Sequence, residues 1–78
     1  MKMYGYSVEA IEKENSSSNE LSEVVLEANS KDIRMIAEFL LQTAENMESM
    51  GSAYDHEHLS DENHYFKDSP HLVVVRPR

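Results

Sequence analysis

Tyr4, Tyr6, Val8 and Ala10 alternate with Gly5, Ser7 and Glu9 near the start of the chain. Side chains on a strand point to opposite faces in turn, so residues 3–11 are predicted to form a half-buried strand. A second alternation, LSEVVLEA over 21–28, would turn Val24, Leu26 and Ala28 inward and Glu23, Val25 and Glu27 outward. The intervening EKENSSSNE, 12–20, is polar and serine-rich, has nothing to bury, and reads as a flexible hairpin loop. The period then changes. Ile33, Ile36, Ala37, Leu40, Leu41, Ala44 and Met47 recur at the spacing of a helix face. Asn29-Ser30-Lys31-Asp32 supplies a cap and a first-turn acid, and Gly51 is expected to close the helix in the left-handed conformation. Met35, Phe39 and Met50 lie off the main stripe and are expected to reach a loop, a sheet edge or a second chain, which makes them candidate contacts of a homodimer, because a helix on one sheet needs only one apolar face. Beyond Gly51, Tyr54, His56 and His58 share one face of a further strand, with Asp55, Glu57 and Leu59 on the other. SDENHYFKDSP, 60–70, reads as a connecting loop. Leu72-Val73-Val74-Val75 is the strongest β-segment, with Pro77 ending it. It is apolar on both faces, so it is expected to lie centrally or to have its second face covered.

The order β-β-α-β-β predicts an α+β fold: a four-stranded antiparallel sheet with one long helix packed on one face. The 78 residues make a single domain, 1–78, whose core must be thin. Cysteine is absent, which excludes disulfides and thiolate sites and fits a reducing compartment. No apolar run resembles a secretory signal or approaches the roughly 20 residues of a membrane span, so a cytoplasmic location without membrane contact is expected. Fifteen acidic residues against seven basic ones give a net charge of −8. Such a surface repels phosphate backbones and argues against nucleic acid as a partner. It would speed encounter with a basic protein, although keeping the chain soluble is its plainer use.

The densest polar cluster is Asp55, His56, Glu57, His58, Asp61, Glu62 and His64. Two histidines two residues apart on a strand can reach one ion, which makes His56, His58 and Asp61 the metal-ligand candidates, with His64 as a further third ligand. No spacing here demands a metal, and solvated or half-buried histidines explain the segment equally simply. No phosphate-binding glycine motif or nucleophile elbow is present, and a thin domain has little volume for a water-free pocket. The expectation is therefore a binding protein without enzymatic activity or cofactor. Its candidate partner-facing charge is Glu38, Glu45 and Glu48 on the helix with Glu20, Glu23 and Glu27. Tyr4, Tyr54, Tyr65 and Phe66 are the candidate aromatic anchors, since aromatic residues dominate binding hot spots.

Over 21–76 the chain resembles a small family of bacterial immunity proteins, number thirty-two of the polymorphic-toxin systems. The residues that carry the resemblance are Val24-Val25-Leu26-Glu27-Ala28-Asn29, the helix pattern of 31–41, His56-Glu57-His58-Leu59-Ser60-Asp61, and Asp68-Ser69-Pro70-His71-Leu72-Val73-Val74-Val75. The resemblance implies a cytosolic antidote that binds a toxin domain and blocks it, the toxin often being a nuclease with a basic cleft. It points to His58, Asp61 and Ser69 as motif positions, for partner contact or for pinning the chain by hydrogen bonds. Together with Tyr54, Tyr65 and Phe66 they form the candidate partner-binding set. The competing readings are a metal-binding regulator centred on His56 and His58, and a structural homodimer.

Overall fold

Ser7 decides how the chain begins. In the computed structural model, which describes residues 1–12 and 18–77, strand β1 (Met3–Gly5) gives way to a short helix, α1 (Val8–Glu12). The Ser7 Oγ accepts the Ala10 N–H at 3.0 Å and the Ser7 carbonyl accepts the Ile11 N–H at 3.2 Å. The strand expected over 3–11 is thus cut to its first part, because a serine cap offers the backbone a local alternative to the ladder. Strand β2 (Asn19–Leu21) pairs antiparallel with β1, setting Met3 opposite Leu21, Tyr4 opposite Glu20 and Gly5 opposite Asn19. A Cβ at Gly5 would sit 2.9 Å from Leu21 Cδ1, the free end of an exposed side chain that can turn aside. Of the loop expected over 12–20, Glu12 ends α1, Asn19 and Glu20 belong to β2, and 13–17 lie outside the described residues. The chain bends at Ser22, and 23–29 runs on with no strand partner among the described residues. Val24, Val25 and Leu26 are all exposed, Val25 at 78%, so the inward face expected for 21–28 does not form.

Helix α2 (Ser30–Met50) starts as its sequence predicts. Asn29 Oδ1 accepts the Asp32 N–H at 2.8 Å, filling one of the orphan donors of the first turn. Its 21 residues span about 31 Å. Gly51 caps it with its N–H on the Met47 carbonyl at φ 55° and ψ −128°. The positive φ agrees with expectation, but ψ lies outside the left-handed helical well, in a region that essentially only glycine enters. No helix among the described residues is long and apolar enough to cross a membrane.

A 3₁₀ turn (Gly51–Ala53) leads into β3 (His56–His58), α3 (Leu59–Glu62), a second 3₁₀ turn (His64–Phe66) and β4 (Val73–Val75). β3 and β4 pair antiparallel, His56 opposite Val75, Glu57 opposite Val74 and His58 opposite Val73. The ladder extends at both ends, through Leu59 N–H to the Leu72 carbonyl at 2.9 Å and Arg76 N–H to the Asp55 carbonyl at 3.2 Å. The expected connecting loop, 60–70, therefore holds two short helical pieces, and Asn63 Oδ1 caps the second by accepting the Tyr65 N–H at 3.1 Å.

The strands form two separate two-stranded sheets instead of one four-stranded sheet. Alternation marks which face of a strand is apolar and says nothing about which edges meet. β4 is consequently not central: Val74 is half-buried against the core, while Val73 and Val75 remain exposed. The core consists of Phe39, Leu59 and Phe66, with Met35, Ile36, Leu72 and Val74 packed around them. Tyr54 and Thr43 are buried alongside, each 2% exposed. The helix is thus turned away from the centre of its predicted stripe. Ile36 packs on the core and Met47 is half-buried, as expected, but Phe39 from off the stripe faces in, whereas Ile33, Ala37, Leu40, Leu41 and Ala44 face solvent. α2 is apolar on two sides, and the side bearing Phe39 fits the socket made by Leu59 and Phe66.

Thr43 generates a stability prediction. Its Oγ1 is buried and has no hydrogen-bond partner among the described residues. Replacing an unpaired buried hydroxyl with a methyl of nearly the same shape removes a desolvation cost, so Thr43→Val is expected to stabilise the fold by about 1 kcal/mol. Urea unfolding checks this; a midpoint that falls would show that the hydroxyl has a partner in solution.

Candidate protein-binding surface

The inward face of α2 is only partly covered by the C-terminal half. Beside that cover, Met35 and Phe39 help to line an open groove of about 270 Å³. Gln42, Asn63 and three carboxylates, Glu38, Glu57 and Glu62, complete its lining. They come from different elements: Glu38 from α2, Glu57 from β3 and Glu62 from α3. A volume below the roughly 300–1,000 Å³ of small-molecule pockets, open to water, suits a protruding side chain better than an enclosed substrate.

Hydrogen bonds fix part of this wall. Asn46 Nδ2 donates to both oxygens of Glu57, at 2.9 and 3.2 Å, and Gln42 Nε2 donates to Asn46 Oδ1 at 3.1 Å. The carboxylate of Glu57 is thereby tied to the helix, across the junction between α2 and β3. On the other side Asn63 Nδ2 reaches Met35 Sδ at 3.3 Å. At the far end of the sheet, Arg76 Nη1 donates to the Ser52 carbonyl at 2.8 Å and ties the last strand to the turn after α2.

The residues singled out from the sequence divide by environment. Tyr54 is buried, with its hydroxyl donating to the Val74 carbonyl at 2.8 Å, and Phe66 is in the core. Tyr65 is exposed, packs edge-on against Phe66 at 5.1 Å between ring centroids, and carries Lys31 Nζ 4.9 Å above its ring. Asp61 is exposed on α3, and Ser69 is half-buried with its N–H on the Phe66 carbonyl at 3.1 Å. Of the expected dimer contacts, Phe39 lies in the core, Met35 packs against it, and Met50 is exposed. His56 and His58 do share a face, with ring centroids 5.1 Å apart, and His71 approaches His58 at 6.4 Å. Asp55 Oδ2 lies 2.5 Å from His56 Nδ1. Among the described residues no group of three or more histidines and acids is placed to hold a metal ion. The sequence reading missed Gln42, Asn46 and Asn63. Asn46 carried a signal, being a polar residue seven positions from Phe39 on the same helix face.

Two tyrosines have hydroxyls held above the ordinary value of 10.0. For Tyr54 the causes are burial first, then the negative charges of Glu57 and Asp55. For Tyr65 they are its hydrogen bond to the Asp32 carboxylate, that group's charge, and burial.

The family described as immunity protein 32 matches residues 23–77, which take in α2 and everything described after it. No curated protein matches the chain, and neither does any solved structure.

A tyrosine whose ionisation is raised by folding stabilises the native state fully below its unfolded value and loses that contribution as pH climbs through the folded value. The melting temperature is therefore expected to hold up to about pH 9.5 and to fall above pH 10. Tyr54→Phe should lower stability at neutral pH by about 1 kcal/mol, through the lost hydrogen bond, and flatten the alkaline decline. Thermal melts followed by circular dichroism from pH 8 to pH 11 test both; an equally steep alkaline decline in the variant would clear Tyr54 of the effect.

Proposed function

The chain belongs to the immunity protein 32 family, and on that premise we propose that it neutralises a bacterial toxin domain by binding it, with no catalysis of its own. It works in the cytoplasm of the cell it protects. The observation that carries this reading is the acidic groove between α2 and the C-terminal half, which lies wholly within the matched residues. Glu38, Glu57 and Glu62 line it together with the apolar side chains of Met35 and Phe39. A lysine or arginine side chain suits both features, since its aliphatic stem lies against carbon while its charge meets carboxylates. A toxin with a basic cleft offers such side chains, and the net charge of −8 would draw it in before contact.

Around the groove, exposed Tyr65 and Asp61 are the partner-contact candidates. Tyr54, Phe66, His58 and Ser69, buried or half-buried, serve that surface by holding its backbone. Asn46 positions Glu57, so losing Asn46 would free the carboxylate without removing its charge. The openness of the groove favours contact over turnover.

The test uses the toxin domain encoded beside this chain. The double variant Glu38→Lys, Glu62→Lys is expected to bind it at least about 100-fold more weakly, with a slower association rate and loss of protection on co-expression. Native binding should weaken as salt rises. Unchanged affinity in the variant would remove the groove from the interface, and absence of binding by the native chain would remove the antidote reading itself.

A further inference from the structure

The outward side of α2 has the spacing of a helix-pairing seam. Ile33, Ala37, Leu40 and Ala44 follow one another at steps of four, three and four, the repeat that keeps one stripe facing a partner helix. Ile33, Ala37, Leu40 and Ala44 are all exposed, and Leu41 beside them is 70% exposed. No charged side chain falls on the stripe itself. Large and small residues alternate along it, which suits interdigitation with a copy of itself.

The whole molecule carries more surface than its mass requires. Its accessible area is 6806 Å². A folded monomer of 9.0 kDa is expected to expose about 4,850 Å². That total covers the whole chain, and its apolar part on this side of α2 is the strip of Ile33, Leu40 and Leu41, at 41%, 45% and 70% exposed.

We propose that α2 pairs antiparallel with α2 of a second copy of this chain through Ile33, Ala37, Leu40 and Ala44, giving a two-fold dimer. With the axis passing between residues 38 and 39, Ile33 of each copy meets Ala44 of the other, and Ala37 meets Leu40, so that bulk fills a gap at each step. The charges beside the seam select the same orientation. Arg34 lies on one flank near the start of the helix, and Glu45 and Glu48 lie on that flank near its end, all three exposed. Antiparallel pairing brings equivalent flanks together and sets Arg34 against the partner's acids. Parallel pairing would direct that flank toward the side on which the partner carries its own core. A basic toxin has no corresponding reason to choose this strip, which lacks the carboxylates of the groove. The seam and the groove lie on different sides of α2, so the dimer does not depend on the antidote reading and leaves the groove open.

Sedimentation of the native chain at about 100 µM is expected to give twice the 9.0 kDa mass. The dimer should persist at high salt, because apolar burial holds it and salt screens the repulsion between two acidic copies; binding to a basic toxin runs the other way. Leu40→Glu is expected to weaken the dimer at least about 100-fold with an unchanged circular dichroism spectrum, whereas Val25→Glu, at a more exposed apolar position off the helix, leaves it intact. The chain has no cysteine, so introduced thiols report geometry cleanly. Ile33→Cys mixed with Ala44→Cys should cross-link on oxidation, and neither should cross-link alone, since a disulfide needs Cα atoms within about 7 Å. A monomeric native chain, a dimer that survives Leu40→Glu, or cross-linking by Ile33→Cys alone would each overturn the proposal.

Discussion

Phe39 is the contact on which the rest of this structure depends. It leaves α2 at mid-length and seats against Leu59 and Phe66, the first residue of α3 and the last of the second 3₁₀ turn. Met35, Ile36, Leu72 and Val74 close around it. In a domain this small only a few side chains can be fully removed from water, and here the buried apolar residues are Phe39, Tyr54, Leu59 and Phe66. The orientation of the helix, the cover over its inner face and the groove beside it all follow from that seat.

The polar contacts at the same junction refine what Phe39 establishes. Asn46 clasps Glu57 across the join, Tyr54 donates to Val74, and Arg76 ties the end of the chain to Ser52. The first joins α2 to β3, and the other two join the segment that follows α2 to the end of the chain. The acidic groove arises as the uncovered continuation of this junction, so its position is inherited from packing while its charge comes from Glu38, Glu57 and Glu62.

α2 serves two environments. Its inner side builds the core and part of the groove lining, and its outer side keeps a regular apolar stripe in water. A helix with one apolar side would have had a single way to pack. With two, the choice falls to whatever the rest of the chain presents, and the rejected side stays available to a partner.

Much was legible in the residues themselves. The start of α2 at Asn29, its end at Gly51, the strand character of 56–58 and of the valines at 73–75, and the acidic, cysteine-free character of the chain follow from local chemistry: a capping side chain, a glycine at positive φ, β-branched residues and charge. The resemblance carried by the motifs from Val24 to Val75 agrees with the family match. Tertiary structure alone decided which side of α2 faces inward, that the strands form two sheets, that Tyr54 and Phe66 are core residues, and that Gln42, Asn46 and Asn63 attend the groove. The alternation over 3–11 failed because Ser7 bonds to the backbone three and four residues ahead, a competition that periodicity does not register. Local preferences act between neighbours along the chain and are written in order, whereas the fit of one aromatic ring into a socket built from residues 20 and more positions away depends on shapes that exist only once both have folded.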